Sequence, residues 1–160
     1  MKELQLQTTV KVYAYEELDP SMAQLVDIAK AKTQDAYCPY SNFHVGAAVL
    51  LADGQIVTGA NQENAAYPSG LCAERTALFA ANANHPQTPV VALALACYTN
   101  GHFTKDVASP CGACRQVMIE TEKRFSTPMK VLLYSESGCY VFEKATDLLP
   151  LCFVADNLLG

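Results

Sequence analysis

The sequence predicts an α/β fold in which helices are arranged in three layers around a mixed sheet of about five strands. Helix-like and strand-like segments follow one another in the order α-β-β-α-β-α-β-β, which is typical of helices packed over such a sheet. Residues 90–98 form a continuous apolar run, as expected for a strand that is covered on both faces. The chain has 160 residues and is 51% hydrophobic, which suits one domain with one apolar core.

Local signals predict each element in turn. Asp19 before Pro20 indicates an N-cap and the first turn of a helix that runs to about residue 36. Two strand-like runs flank Asp53-Gly54, which predicts a hairpin with a two-residue turn. The predicted strands lie at 44–52, 55–60, 90–98, 130–134 and 140–143, and further helices at 72–82 and 110–120.

No repeat, low-complexity tract or linker divides the chain, so residues 19–160 are predicted to form a single domain. Residues 1–18 are predicted to be an N-terminal extension or arm, because residues 4–15 are rich in β-branched side chains and could form an extra strand. The first residues lack the apolar stretch of a signal peptide. No apolar run approaches the ~20 residues of a membrane span. We therefore expect a cytoplasmic protein with no membrane partner.

The charge balance argues against nucleic acid as a partner. The formal net charge is -5 and the pI is about 5.1, and the lysines and arginines are scattered singly along the chain. Such a balance repels a polyanion. The seven cysteines are, in a reducing compartment, more often buried apolar residues, metal ligands or catalytic groups than disulfides.

Three cysteines stand in a pattern that favours a metal site. Cys111 and Cys114 have the Cys-x-x-Cys spacing that is common for zinc ligands, and Cys72 begins a helix-like run. A redox pair is the alternative, but that motif usually follows the first strand of its unit. A structural zinc site normally has four protein ligands, whereas the three histidines of this chain do not cluster. Three cysteines with one open position indicate a catalytic zinc, and Cys38 is the alternative fourth ligand of a structural one.

Two charged residues follow Cys72 in the predicted helix. Cys72 and Glu74 can reach the same water only if Cys72 is the N-cap, because residues two apart on a helix do not share a face. Glu74 would then move protons, and the alternative is a first-turn glutamate that only favours the helix dipole. Arg75 lies on the same side as Cys72 and could donate to thiolates, which would offset their negative charge. The alternative for Arg75 is a surface position.

These residues together resemble the zinc-dependent cytidine deaminase family, in its short, all-cysteine type. The resemblance covers about residues 29–153, and residues 19–160 would be the catalytic domain. It includes a glutamate that is not a metal ligand, as in zinc deaminases generally. The motifs that carry it are Tyr37-Cys38-Pro39-Tyr40-Ser41-Asn42-Phe43, Val45-Gly46-Ala47-Ala48, Asn61-Gln62-Glu63-Asn64-Ala65-Ala66-Tyr67-Pro68, Cys72-Ala73-Glu74-Arg75-Thr76-Ala77, Ser109-Pro110-Cys111-Gly112-Ala113-Cys114-Arg115-Gln116 and Leu148-Leu149-Pro150.

The resemblance implies hydrolytic deamination of free cytidine and deoxycytidine to uridine and deoxyuridine, a reaction of pyrimidine salvage. One Zn²⁺ per chain would be held by Cys72, Cys111 and Cys114, and zinc-bound hydroxide would attack C4 of the ring. Glu74 would be the catalytic residue that shuttles protons from the water to N3 and to the departing ammonia.

The resemblance also implies how the substrate is held. Asn61 and Glu63 would bind the ribose 3′-hydroxyl, the backbone of Ala73 would contact the base, and Phe43 would line the base pocket.

Residues from more than one chain would complete the site, because this type is usually a homotetramer. Tyr67 would lie near a subunit boundary, and Phe153 would reach in from a neighbouring subunit. Leu151-Cys152 replaces the smaller pair that is common just before this phenylalanine.

Other classes of function stay open at the level of sequence. A zinc-stabilised binding or structural protein would need neither Glu74 nor an open coordination position. A deaminase of polynucleotides or of nucleoside-like antibiotics would share the metal chemistry, although Glu63 would repel a 3′-phosphate. By composition alone, Phe43 and Phe153 would be core residues, and Asn61 would only end a hairpin.

Overall fold

Seven strands form a mixed sheet in the computed structural model, which describes residues 1–159. In chain order they are β1 (Lys11–Tyr13), β2 (His44–Leu51), β3 (Ile56–Ala60), β4 (Val90–Thr99), β5 (His102–Phe103), β6 (Lys130–Ser135) and β7 (Gly138–Phe142). Their spatial order is β1-β7-β6-β4-β2-β3, and β5 pairs with β4. The pair β4 and β6 is parallel, as expected for strands joined by a crossover helix, and the other pairs are antiparallel.

Of the four α-helices in residues 1–159, three cover the two faces of this sheet. The helices are α1 (Pro20–Lys32), α2 (Ala73–Asn84), α3 (Gly112–Phe125) and the short α4 (Asp156–Leu159). Side chains of α1 pack on one face, and side chains of α2 and α3 pack on the other. The predicted α/β class with three layers is therefore confirmed. Within residues 1–159, every helix is too short or too polar to span a membrane.

The side chains of β4 explain why this sheet needs a layer on each face. Leu93 and Leu95 pack with α2 and α3, while Ala94 and Ala96 pack with α1, and all four are buried. Successive side chains of a strand alternate between its two faces, so the apolar run of β4 buries both of its sides. The small alanines allow α1 to lie close to the sheet.

Two glycines let helices approach the strands at backbone distance. A Cβ at Gly46 would collide with the carbonyl oxygen of Ala29 in α1. A Cβ at Gly59 would lie 2.5 Å from the amide nitrogen of Ala77 and 2.8 Å from the carbonyl oxygen of Ala73, both in α2. Any side chain at these positions would push the helix away from the sheet. Gly59 therefore sets where the first turn of α2 lies.

Within residues 1–159 the sheet has seven strands where about five were predicted, because two short strands, β1 and β5, add to it. β1 lies within residues 1–18 and pairs with β7, as expected for an extra strand there. β5 pairs with β4 across Asn100-Gly101, whose φ angles of 52° and 86° are those of a two-residue hairpin turn. Strands of two or three residues are too short to give a periodic pattern in the sequence.

The turn between β2 and β3 also differs from the two-residue turn that was predicted. The N–H of Gly54 donates to Leu51 O at 3.0 Å, and the N–H of Leu51 donates to Gln55 O at 2.9 Å, which closes a loop of three residues. A two-residue turn of the predicted type needs a positive φ at both central residues. Gly54 has a φ of 87°, but Asp53 is not among the residues with positive φ.

The N-terminal arm follows the edge of the sheet next to β7. Thr8 Oγ1 donates to Asp147 O at 3.1 Å, and Lys11 Nζ lies 2.7 Å from a carboxylate oxygen of Glu143. Both contacts are exposed, where a single ion pair or hydrogen bond contributes little stability. The division into an arm of residues 1–18 and a catalytic domain of residues 19–160 stays a prediction.

Candidate active site

Both cysteine motifs supply the N-cap of a helix. Cys72 is the N-cap of α2 and Cys111 is the N-cap of α3, and both residues have extended backbone angles. Cys72 thus precedes the regular helix, which allows Cys72 and Glu74 to face one point. The free N–H groups and the dipole at each helix start favour thiolates at these positions.

Three sulfur atoms meet where α2 and α3 begin. Cys72 Sγ lies 3.9 Å from Cys111 Sγ, Cys111 Sγ lies 3.4 Å from Cys114 Sγ, and all three atoms lie within 4.8 Å of one another. Tetrahedral zinc with Zn–S bonds of about 2.3 Å places its sulfur ligands about 3.8 Å apart. The cluster therefore fits a zinc ion with three protein ligands and a fourth position for another group. Across residues 1–159, this is the single group of three or more His, Cys, Asp or Glu side chains close enough to hold a metal.

Hydrogen bonds within the cluster shift the pKa values of Cys72 and Cys114 in opposite directions. Hydrogen bonds with Cys114, with the Arg75 guanidinium and with Cys111 lower the pKa of the Cys72 thiol to about 5. The hydrogen bond with Cys72, together with burial, raises the pKa of Cys114. Arg75 Nη2 lies 3.9 Å from Cys72 Sγ, and Arg75 Nε is buried with no hydrogen-bond partner in the described chain. Arg75 is thus a cation held against the cluster, where its charge offsets that of the thiolates.

The carboxyl group of Glu74 lies in the protein interior beside this cluster. Glu74 is 5% exposed, and its burial, with a smaller contribution from the negative charge at Cys72, raises the pKa of its carboxyl group. Desolvation disfavours the charged form of an acid. A carboxyl group of this kind can hold and release a proton closer to neutral pH than an exposed glutamate can.

A cavity of about 790 Å³ opens in front of the cysteines. A volume of this size is typical of sites for small molecules. Its lining includes Cys72, Glu74 and Cys111, together with four of the residues predicted to contact substrate, namely Phe43, Asn61, Glu63 and Tyr67.

Glu63 is already engaged with the backbone of the cavity wall. Its Oε2 atom accepts the N–H of Tyr40 at 2.9 Å and the N–H of Ser41 at 3.3 Å. Hydrogen bonding to Ser41 and Tyr40 lowers the pKa of the Glu63 carboxyl group. Glu63 therefore presents an ionised carboxylate whose orientation is set by the loop that it binds.

Asn61 is engaged in a similar way. Its Nδ2 donates to Phe43 O at 2.9 Å, and its Oδ1 accepts the N–H of Val45 at 2.8 Å. These two backbone contacts agree with the alternative interpretation, in which Asn61 ends the hairpin. Each of its polar atoms can make a second hydrogen bond, so the structure is also compatible with the substrate contact.

Residues 20–127 match the family model described as the cytidine and deoxycytidylate deaminase zinc-binding region, which is more than half of the chain. The chain belongs to the cytidine deaminase family. The cytidine deaminase of Halalkalibacterium halodurans is 42% identical over 134 residues, which are 84% of this chain and 95% of the relative. That of Mycobacterium tuberculosis is 40% identical over 126 residues, 77% of this chain and 82% of the relative. The crystal structure of cytidine deaminase from Burkholderia pseudomallei matches with a TM-score of 0.69 at 44% identity, over 81% of this chain and 97% of that chain.

Family membership confirms that this deaminase is a zinc-dependent hydrolase. The metal that the family binds fits the cluster of Cys72, Cys111 and Cys114 in spacing, charge and chemistry. The roles of single side chains in the site stay predictions.

Besides the buried Cys114 of the cluster, three cysteine or substrate-contact candidates of this deaminase lie outside the cavity lining. Ala73 is buried at the first position of α2, so its backbone alone could reach a ligand. Phe153 is 57% exposed and is held by Gln116, whose Nε2 donates to Phe153 O at 2.8 Å. Cys38 lies outside the metal-ligand group, and burial raises the pKa of its thiol, so the structure does not support it as a fourth ligand.

Sequence reasoning did not assign the other residues that line the cavity of the deaminase. Most lie in loops or on the inner face of a strand, where no local pattern separates a lining residue from a core residue. Cys97 is an example, because it is buried and burial raises the pKa of its thiol to about 12, which makes it a neutral part of the wall. The unassigned lining residues are Tyr40, Ser41, Val45, Gln62, Asn64, Gly70, Leu71, Leu95, Cys97, Ala108 and Ser109.

The sulfur cluster predicts how zinc content responds to cysteine replacement. The purified wild-type protein should contain close to one equivalent of zinc per chain, measured by elemental analysis. Cys114→Ala removes one of three ligands and should lose the metal. Cys38→Ala is the matched control, because it removes a buried thiol outside the cluster, and it should keep the metal. Zinc loss in Cys38→Ala with retention in Cys114→Ala would overturn the ligand assignment.

Proposed function

We propose that this enzyme hydrolyses the 4-amino group of free cytidine and deoxycytidine, which yields ammonia with uridine or deoxyuridine. The observation that carries the proposal is the position of a buried carboxyl group, Glu74, at the same cavity as a three-cysteine cluster. Cys72, Cys111 and Cys114 would hold the zinc, which when bound supplies Lewis-acid activation of water at neutral pH. Membership of the family supports cytosine as the base that enters the cavity.

Glu74 would move both protons that the reaction requires. It takes one proton from the attacking water and delivers it to N3 of the pyrimidine ring while the water oxygen bonds to C4. It then passes the second proton of that water to the amino group, and the C4–N bond breaks to release ammonia. The raised pKa of Glu74 supports this role, because a general acid–base group works best when its pKa lies near the operating pH.

Glu63 and Asn61 would bind the sugar, with Phe43 and the backbone of Ala73 against the base. The carboxylate of Glu63 is an acceptor that two backbone N–H groups hold in place, so a ribose 3′-hydroxyl can donate to it without reorganising the wall. A 3′-phosphate would bring no donor and would add like charge. The site is therefore suited to a nucleoside with a free 3′-hydroxyl.

The charge of the cavity also favours a free nucleoside over a polymer. Among the described residues that line it, Arg75 alone is basic, and its guanidinium is engaged with Cys72. Binding to a nucleic-acid backbone rests on several phosphate contacts from cations. We accordingly assign the enzyme to the salvage of pyrimidine nucleosides, with no nucleic-acid or membrane partner. Its seven free cysteines suit the reducing cytoplasm.

The active unit is proposed to be a homotetramer. Tyr67 is 78% exposed at the cavity, and Phe153 and Leu151 are 57% and 83% exposed in the C-terminal segment. A cluster of large, exposed apolar side chains near a site often marks a surface that a partner protein covers. Closed symmetric assembly of identical chains is the commonest way to cover such a surface in a small domain.

Glu74→Gln tests the proton transfers. The amide keeps the size and polarity of the side chain but cannot exchange protons, so the variant should keep zinc and fold while kcat falls by ~10²–10⁴-fold. Glu120→Gln makes the same chemical change at an exposed site on α3 and should keep full turnover. Near-normal turnover of cytidine by Glu74→Gln would remove Glu74 from the mechanism.

A substrate panel tests the proposed function as a whole. Ammonia release, with parallel loss of cytosine absorbance, should be fast for cytidine and deoxycytidine and far slower for cytidine 3′-monophosphate or a cytosine-containing oligonucleotide. Glu63→Gln keeps an oxygen for the loop N–H groups but removes the charge, so it should narrow the preference for cytidine over the 3′-monophosphate. Equal turnover of the oligonucleotide by the wild-type enzyme would reject a pocket for free nucleosides.

Light scattering tests the assembly. The intact protein should have a mass near four times the 17.3 kDa of one chain. Phe153→Ala should raise KM for cytidine, weaken assembly, or do both, because the ring is proposed to complete a neighbouring site. A fully active monomer at assay concentration would contradict the shared site and leave the zinc chemistry unaffected.

A further inference from the structure

One wall of the cavity is a loop that is held from two sides. We call residues 38–43 the substrate loop, because Tyr40, Ser41 and Phe43 in it line the cavity. From the cavity side, Glu63 accepts the N–H groups of Tyr40 and Ser41, as described above. This contact fixes the middle of the loop, and the N–H of Phe43 donates to Ser41 Oγ at 3.1 Å. The carbonyl groups on either side of the Phe43 side chain are held by other residues.

The outer side of the substrate loop is held by the hairpin of β4 and β5. Thr99 Oγ1 donates to the backbone carbonyl of Asn42 at 3.1 Å, which fixes the peptide group that precedes Phe43. The next peptide group is fixed by Asn61, whose Nδ2 donates to Phe43 O at 2.9 Å. The carbonyl groups before and after the Phe43 side chain thus each accept a side-chain hydrogen bond, the first from Thr99 and the second from Asn61.

Asn42 is the point at which the loop most needs this support. Its φ of 52° lies in the left-handed region, which is uncommon for a residue other than glycine although asparagine tolerates it better than most. Asn42 Oδ1 lies 3.3 Å from His44 Nε2, and the ring of His44 packs edge-on against Tyr98 with centroids 6.3 Å apart. The hairpin thus contacts the residues on both sides of Phe43.

The hairpin is itself braced from behind by aromatic rings and a lysine. The ring of Phe103 lies between Tyr98, at a centroid distance of 5.3 Å, and Tyr134, at 5.6 Å. Lys30 Nζ lies 5.3 Å from the Phe103 centroid and 4.6 Å from that of Tyr134, within the range of cation–π contact. Because these rings belong to three different strands and Lys30 belongs to α1, they hold the hairpin against the layer formed by α1.

We infer that the β4–β5 hairpin positions the substrate loop for nucleoside binding, with Thr99 as the positioning residue that acts on Phe43. The inference rests on the proposed function, because it treats Phe43 as a wall of the base pocket. Without the Thr99 hydroxyl the loop populates more conformations, and only a fraction of them present Phe43 to the base. The apparent dissociation constant of a ligand rises in inverse proportion to that fraction. The Thr99 hydroxyl does not line the cavity, so its loss should change neither zinc binding nor the proton transfers assigned to Glu74.

Thr99→Val tests this inference, because it keeps the shape of the side chain and removes the donor. KM for cytidine should rise by about twofold to tenfold, the range that one hydrogen bond supports, while kcat and zinc content stay at wild-type values. A change in KM alone is the mark of lost binding that ground state and transition state share. Thr99→Ser restores the donor and should return KM to the wild-type value.

Thr127→Val is the matched control. Thr127 is also half-buried, and its hydroxyl donates to Phe125 O at 3.0 Å, beyond the C-terminal end of α3. The cysteines lie at the other end of that helix, about 20 Å away by the helical rise. This variant loses a hydrogen bond of the same kind and should leave KM unchanged.

Hydrogen–deuterium exchange separates this inference from the proposed function. The amides of residues 40–43 should exchange faster in Thr99→Val than in the wild type or in Thr127→Val, with no need for turnover. Phe103→Leu, which removes the ring that braces the hairpin, should speed the same amides and supplies the test if Thr99→Val does not fold. Unchanged exchange at residues 40–43 in both variants, or an equal rise of KM in Thr127→Val, would overturn the role of the hairpin. Absence of cytidine turnover by the wild-type protein would instead contradict the proposed function.

Discussion

The close approach of α2 to β3 at Gly59 is the constraint on which the site depends. A helix that begins with Cys72 brings one sulfur to the cluster only if its first turn lies at a defined height above the sheet. The missing side chain at Gly59 allows that approach, because a Cβ there would meet the backbone of Ala73 and Ala77. The same packing of α2 on β3 also fixes the position of Glu74, which lies in the first turn of α2 and is buried. The cysteine cluster and this buried carboxyl group thus depend on one packing contact.

The cluster combines groups whose charges oppose one another at short range. Three thiolates beside a buried carboxyl group would repel one another strongly in an interior of low dielectric. Arg75 reduces that cost, since its guanidinium contacts Cys72, and the two helix N-termini add partial positive charge. The raised pKa of Glu74 follows from the same balance, because burial and the nearby thiolate both favour its protonated form. The site therefore holds a protonatable carboxyl group beside a thiolate cluster whose negative charge Arg75 and the helix starts partly offset.

Loops form much of the cavity wall. Polar side chains hold these loops by hydrogen bonds to the backbone, where a sheet would have backbone-to-backbone hydrogen bonds. Glu63 binds two N–H groups of the substrate loop, and Asn61 binds the backbone on either side of His44, where β2 begins. Each of these side chains thus has a structural contact and can also face a ligand. A loop held in this way is pre-organised, which lowers the entropic cost of ordering it when substrate binds.

The sequence by itself determined the features that depend on neighbours a few positions away. These include helices that begin close to Cys72 and Cys111, the burial of β4 on both faces, and the motif order that indicates a zinc-dependent deaminase. Only the tertiary structure decided that β1 pairs with β7, that Cys97 lines the cavity and that Cys38 lies outside the cluster. Likewise, Thr99 supports Asn42 across 57 positions of sequence. Such contacts leave no local period or spacing in the chain, because the sheet that brings them together is formed by strands distant in sequence.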